Sequence, residues 1–174
     1  MNTIDFFIQG ARRLHGRAEK LTAGIESDFA ARKPLGRDGV VIDCNHATFI
    51  FGHLSLYPAR MLERAGLDGS AIKAPEGWEA LFSAGVECRD DRDGNIYPAF
   101  SETKERFFRG SEYAFEKLAS VSQDQLLVPP AEERLRASFP NLGCMLNFLL
   151  VAHVSMHLGQ LSTWRRCFGL KSVE

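Results

Sequence analysis

The chain has 174 residues, of which 45% are hydrophobic, and 21 basic against 22 acidic residues give a formal net charge of −1. This length and apolar content predict one domain, residues 1–174, with a substantial core, and the lack of a cationic stripe argues against a nucleic-acid partner. Without an uninterrupted run of eighteen apolar residues or a basic N-terminal start, we expect a cytoplasmic protein that does not cross a membrane.

Four long segments are predicted to be helical because apolar residues recur in them at intervals of three and four. They run over residues 2–30, 43–65, 101–119 and 141–167. Asn2 or Thr3 is a suitable cap for the first segment and Asn141 for the last. Pro58 falls inside the second segment, where we expect it to kink the helix without breaking it.

The connections between these segments are predicted to be irregular. Residues 66–100 contain one short helix near 76–82 and a turn at 90–95, and a connection this long is a candidate lid over a site. Residues 135–139 are expected to form a short strand or turn between prolines. The whole pattern predicts an all-α four-helix bundle with a long, partly irregular connection between helices 2 and 3, in which sites face inward.

The last helix carries two histidines, His153 and His157, four residues apart. Four residues are about one helical turn, so both imidazoles project from one face. The apolar stripe through Leu149, His153, Met156 and His157 indicates that this face is buried. Buried imidazoles need a partner, and a metal ion suits this spacing.

A catalytic metal site commonly has three protein ligands and one open position. Among the remaining histidines, His53 is the best candidate for the third ligand because it lies on the apolar stripe of the second helix. His46 is about two turns away on the same face, and it could be a surface residue, a pocket residue or an alternative third ligand. His15 stands beside the stripe of the first helix among charged residues, so we expect it to be exposed.

Two motifs, Gly52-His53-Leu54 and the stretch from His153 to Leu161, resemble those of the DinB/YfiT-like metalloenzyme family, and the resemblance covers essentially the whole chain. It implies a four-helix bundle in which His53, His153 and His157 bind one divalent metal, nickel or zinc. The chain departs from the common pattern at Leu158, where family members often have a basic residue.

Other residues near these histidines are candidates for supporting roles. Gln160 faces the same side as His157 and could accept a hydrogen bond from a ligand imidazole. Tyr57 and His46 are the candidates for a catalytic acid, base or hydrogen-bond donor. The four cysteines are expected to be free thiols, and Cys44, near a helix start, is a candidate for a lowered pKa.

The resemblance implies a metal-dependent transferase or hydrolase that acts on a small molecule. The metal would activate a low-molecular-weight thiol, as in S-transferases and isomerases, or a water molecule. The alternative is a non-catalytic bundle that binds a small ligand or a protein partner. A structural metal would usually have a fourth protein ligand, and none is evident. The thirteen phenylalanines make a homodimer plausible.

Overall fold

The computed structural model describes residues 2–173. Within these residues the regular structure is helical, apart from one isolated antiparallel bridge between Leu35 and Val41, which confirms the all-α prediction. The helices are α1 (Thr3–Thr22), α2 (Ala47–Ser55), α3 (Tyr57–Arg64), a 3₁₀ turn (Ser70–Ile72), α4 (Trp78–Phe82), α5 (Phe100–Leu118), α6 (Gln123–Leu127), α7 (Glu133–Arg136), α8 (Leu142–Asn147), a π-helical turn (Phe148–Ala152) and α9 (His153–Cys167).

Helix α1 is shorter than predicted and presents a slightly different face. Asn2 and Asp5 form a capping box at its start, as local sequence suggests, but the helix ends at Thr22, just before Gly24 with its positive φ of 74°. Its buried stripe runs through Ile4, Ile8, Ala11, His15, Ala18 and Leu21. The expectation that His15 is exposed is therefore wrong: only 8% of it is accessible.

The second predicted helix is two helices, so the expectation of an unbroken helix was wrong. Helix α2 ends at Ser55 and α3 begins at Tyr57, with Pro58 in the first turn of α3. Proline has no N–H to donate back along a helix, and it is tolerated best in a first turn. Every residue of α2 is buried, and α2 packs mainly on α5, with further contacts to α4 and α9.

The third and fourth predicted helices are confirmed. Helix α5 runs within one residue of the predicted bounds, and Asn141 caps α8 by accepting the N–H of Cys144 at 2.8 Å. The π-helical turn between α8 and α9 was not predicted. By length and composition alone the stretch Leu142–Cys167 could cross a membrane; 56% of its most apolar window is buried inside the molecule, and the core helix of a soluble protein meets the same criteria.

The connecting segments carry short helices. The predicted helix near 76–82 is confirmed as α4, whose Trp78 is buried. The predicted turn at 90–95 is held by Asp91, which accepts hydrogen bonds from the backbone N–H groups of Asn95, Ile96 and Tyr97. The segment 135–139, expected to be a strand or a turn, contains the end of α7 at Arg136 and then a turn, in which the Phe139 N–H donates to the Leu135 carbonyl; it forms no strand.

Candidate metal centre

Three buried histidines meet at one point between α2 and α9. The Nε2 atom of His153 lies 3.1 Å from Nε2 of His53 and 3.2 Å from Nε2 of His157. A tetrahedral ion bound at about 2.0–2.1 Å holds its ligand nitrogens about 3.3 Å apart. The three imidazoles are therefore close enough together to hold a metal ion, and among the described residues they are the one group of three or more histidine, cysteine or acidic side chains with this property.

The local backbone explains how α9 contributes two of these histidines. His153 and His157 are one turn apart, and the π-helical turn Phe148–Ala152 ends at the residue before His153. A π turn contains one additional residue, so it rotates the following helix face by about 100° relative to an uninterrupted α-helix. Such turns are frequent at functional sites. Met156, expected on the buried stripe, is 55% exposed.

Hydrogen bonds orient two of the imidazoles. His53 Nδ1 lies 2.7 Å from the carbonyl oxygen of Phe82, which can only accept, so Nδ1 carries the proton and Nε2 has a free lone pair. The last carbonyls of a helix have no partner within it, and Phe82 is the last residue of α4. His157 Nδ1 donates in the same way to Gln160 Oε1 at 3.0 Å, and that oxygen also accepts from Asn45. The predicted contact with Gln160 is thus present.

His153 differs from the other two. Its Nδ1 is buried and has no hydrogen-bond partner among residues 2–173. A buried nitrogen without a partner is uncommon in folded proteins.

Burial keeps all three imidazoles neutral at pH 7. Desolvation, with further lowering by the imidazoles of His157 and His53, brings the pKa of His153 to about 3. Desolvation and the neighbouring His53 bring the pKa of His157 to about 4, and desolvation also lowers the pKa of His53. The neutral imidazole is the form that binds metals, so this environment favours ligation.

The three histidines line an open cleft of about 420 Å³. The cleft is also lined by Phe49, Tyr57, Phe148, Met156 and the segment Ser83–Val86, which belongs to the connection predicted to be a lid. The Tyr57 ring lies 4.4 Å from the His153 ring, centroid to centroid. Burial raises the pKa of Tyr57, so its phenol remains protonated at neutral pH and can donate a hydrogen bond. The structure therefore places Tyr57 at the site.

His46 lies outside this cluster, and the alternative that it is a surface residue is wrong. It is fully buried at the start of α2, where its Nδ1 accepts the N–H of Phe49 and its Nε2 lies 3.1 Å from the carbonyl of Arg89. Desolvation lowers its pKa to about 4. Both ring nitrogens are occupied by backbone partners, so His46 caps α2 and ties it to the connection before α5.

The cysteines are free thiols, as expected. Burial raises the pKa of Cys44, which contradicts the expectation for that residue, and burial raises the pKa of Cys88 to about 11. Neither supplies a thiolate at neutral pH.

Sequence reasoning missed two parts of the site, the close packing at Gly52 and the Phe82 carbonyl that orients His53. Gly52 has no side chain, and the Phe82 ring packs against the α2 backbone at that position. This close approach accompanies the hydrogen bond from His53 to the Phe82 carbonyl. A glycine inside a helical pattern is a signal of close packing, so Gly52 could have been found, but its partner could not.

Comparison with known proteins does not identify the chain. No protein-family model matches it, and no curated protein matches it significantly.

Proposed function

We propose that this chain is a divalent-metal-dependent enzyme of the DinB-like group, in which His53, His153 and His157 bind one nickel or zinc ion. The proposal includes a four-helix arrangement of α1, α2–α3, α5 and α8–α9. One observation carries it: the Nε2 atoms of His53 and His157 each lie about 3 Å from Nε2 of His153, and all three imidazoles line one open cleft.

The ligand set supports catalysis rather than a structural role. Structural zinc sites normally have four protein ligands, whereas catalytic sites have three and an open position. The described residues supply three histidines and no fourth ligand. A divalent ion with an open position lowers the pKa of a bound thiol or water, and so supplies a nucleophile at neutral pH.

The protein's own residues would bind and orient a small substrate. Phe148 and Met156 offer apolar surface in the cleft, and Tyr57 offers a phenol donor. Through Tyr57, Ser83 and Ala84 the cleft joins a groove of about 650 Å³ lined by Arg60, Arg64 and Arg134. These arginines are paired with Glu79 and Glu132. A substrate carboxylate would have to displace Glu79 or Glu132 to bind one of these arginines, so the groove does not select a thiol over water as the activated group.

The first test is the metal content of untagged protein purified without chelator, measured by mass spectrometry. We expect about one nickel, zinc or similar ion per chain, and loss of the ion in His53→Ala and His157→Ala. His46→Asn is the matched control: it removes a buried histidine but retains a capping side chain at the start of α2, and its metal content should equal that of the wild type.

A second measurement separates thiol from water. Adding cysteine or glutathione to the cobalt-substituted protein should change its absorption spectrum if a thiol is the activated group; an unchanged spectrum would favour water. Absence of metal in the wild-type protein, even after ions are added back, would instead favour a non-catalytic bundle that binds a ligand or partner.

A further inference from the structure

A small cavity is lined in part by His153, whose Nδ1 has no hydrogen-bond partner among the described residues. It measures about 10 Å³ and lies among α1, α3, α5 and α9, where His15, Ser111, Tyr57 and His153 are its only polar residues. Apart from Tyr57, every residue that lines it is buried. A space of about this size accommodates one water molecule if two or more polar groups face it.

His15, Ser111 and His153 form a polar layer across an otherwise apolar interior. Two apolar clusters make up most of the interior, one that includes Leu62, Leu118 and Leu146 and one that includes Ile50, Phe51 and Leu161. Each residue of the polar layer lies on its helix between a member of the first cluster and a member of the second. The flanking pairs are Ala11 and Ala18 on α1, Ala114 and Phe107 on α5, and Leu150 and Val154 on either side of His153. Three helices thus place a hydrogen-bonding side chain at the same level of the core.

The other two polar side chains of this layer are buried beside the cavity. Ser111 is only 4% exposed, and it lines the same cavity as His153. His15 is surrounded by phenylalanine rings, and its Nδ1 lies 3.6 Å from a carboxylate oxygen of Glu112.

The hydrogen bonds of the other two histidines determine whether a partner of His153 Nδ1 must donate or accept a hydrogen bond. His53 and His157 both commit their Nδ1 protons elsewhere, so their Nε2 atoms are acceptors. In the metal-free protein the proton shared among the three Nε2 atoms must belong to His153, which leaves its Nδ1 as an acceptor. When Nε2 of His153 is a ligand, the proton moves to Nδ1, which becomes a donor. The partner must both donate and accept.

We infer that one ordered water fills this cavity, hydrogen-bonded to His153 Nδ1, Ser111 Oγ and His15, and that Ser111 and His15 are positioning residues for His153 through it. A water molecule both donates and accepts, so it serves His153 in either tautomer, and three partners are typical of a buried water. The part of this inference that concerns metal affinity rests on the proposed function; the water itself does not.

The direct test is a high-resolution crystal structure of the metal-free protein. We expect density for one water within hydrogen-bond distance of His153 Nδ1 in the wild type. A dry cavity, or a direct bond from Nδ1 to a side chain, would overturn the inference. If the water is present and the protein binds no metal, the proposed function fails and the water assignment stands.

Metal affinity tests the positioning role. In a competition titration with a chromophoric chelator, Ser111→Ala should bind zinc about tenfold more weakly, since loss of outer partners of metal ligands costs about 10–100-fold. His15→Leu should have the same effect. The double variant should be no weaker than either single variant, because all three lose the same water.

Thr103→Ala is the matched control. Thr103 is a fully buried hydroxyl on the same helix α5, and it donates to the Phe100 carbonyl rather than to the layer. Its zinc affinity should equal that of the wild type. The cobalt spectrum provides a readout that a purely structural role would not change: it should shift in Ser111→Ala and remain unchanged in Thr103→Ala. Wild-type affinity and spectrum in Ser111→Ala would refute the positioning role while leaving the metal site intact.

Discussion

Replacing Gly52 by alanine would put a methyl group where the Phe82 ring now lies. A Cβ at this position would be 2.5 Å from Cδ1 and Cζ of that ring and closer still to Cε1. Phe82 is fully buried and packs against Trp78 and Tyr97, with ring centroids 5.2 and 5.6 Å away. The ring therefore cannot move without repacking its neighbours.

Two opposing effects set the size of the change in stability. Alanine is favoured over glycine inside a helix by about 1 kcal/mol, whereas overpacking a core costs about 1–3 kcal/mol. With three ring carbons in conflict, we expect overpacking to prevail and the free energy of unfolding to fall by about 1–2 kcal/mol. For a chain of this length that corresponds to a decrease in Tm of about 2–8 °C.

The same substitution should weaken metal binding. Displacing Phe82 also displaces its carbonyl, which accepts the His53 Nδ1 proton at 2.7 Å. Loss of such a partner lowers metal affinity by about 10–100-fold. Thermal denaturation of the metal-free protein and a zinc competition titration measure the two effects. Gly52→Ala combined with Phe82→Leu, which removes the conflicting ring, should restore part of the affinity.

Gly16→Ala is the control for this experiment. Gly16 lies inside α1, and a Cβ added there would have no neighbouring atom within 4 Å. Alanine at this position should therefore raise the free energy of unfolding by about 0.5–1 kcal/mol and leave zinc affinity unchanged. If Gly52→Ala is as stable as Gly16→Ala and binds zinc like the wild type, the argument that Gly52 positions His53 through Phe82 is refuted.

Three other predictions follow from buried titratable groups. The free energy of unfolding of the metal-free protein should fall as the pH drops from about 6.5 to about 4, by roughly 1 kcal/mol per histidine at pH 5.5. The reason is that the unfolded chain binds protons that the folded chain excludes from four buried histidines, His15, His46, His153 and His157. Equal urea midpoints at pH 7.5 and 5.5 would contradict this. His46→Ala should lower the unfolding free energy by about 2 kcal/mol through loss of the α2 cap and exposure of an unpaired carbonyl, while metal content per folded chain stays constant. A thiol reagent should label the exposed Cys144 and Cys167 quickly and the buried Cys88 only on unfolding. The cause is that burial raises the pKa of Cys88 to about 11. Rapid labelling of Cys88 in the native protein would show that reasoning to be wrong.

Features that depend on neighbouring residues were predictable from the sequence. The caps at Asn2 and Asn141 bond to N–H groups within three residues, so their residue types are sufficient to identify them. The pairing of His153 with His157 follows from one turn of helix. In contrast, the break between α2 and α3 depends on how Pro58 is accommodated, and local helix propensity on either side concealed it.

Features that depend on the choice of helix face were predicted less well. The stripe of α1 passes through His15 rather than beside it, since several residues at this interval satisfy a periodic pattern and packing against α5 and α9 decides among them. The π-helical turn likewise changes the face that α9 presents, and Met156 lies on the exposed side.

The helical class, most helix ends and the pair of histidines on α9 could be read from the amino-acid order, because each follows from interactions within a few residues. His53 could be named as the third member from its place on the apolar stripe of the second helix and from the family resemblance, but the geometry of the cluster could not be predicted: His53 lies 100 positions before His153, and packing of α2 against α9 brings their Nε2 atoms to 3.1 Å. Packing also lets Phe82 orient His53 from 29 residues away, and it turns His15 and Ser111 toward the same small cavity as His153. These contacts join distant parts of the chain, and their geometry depends on the packing of whole helices rather than on local pattern.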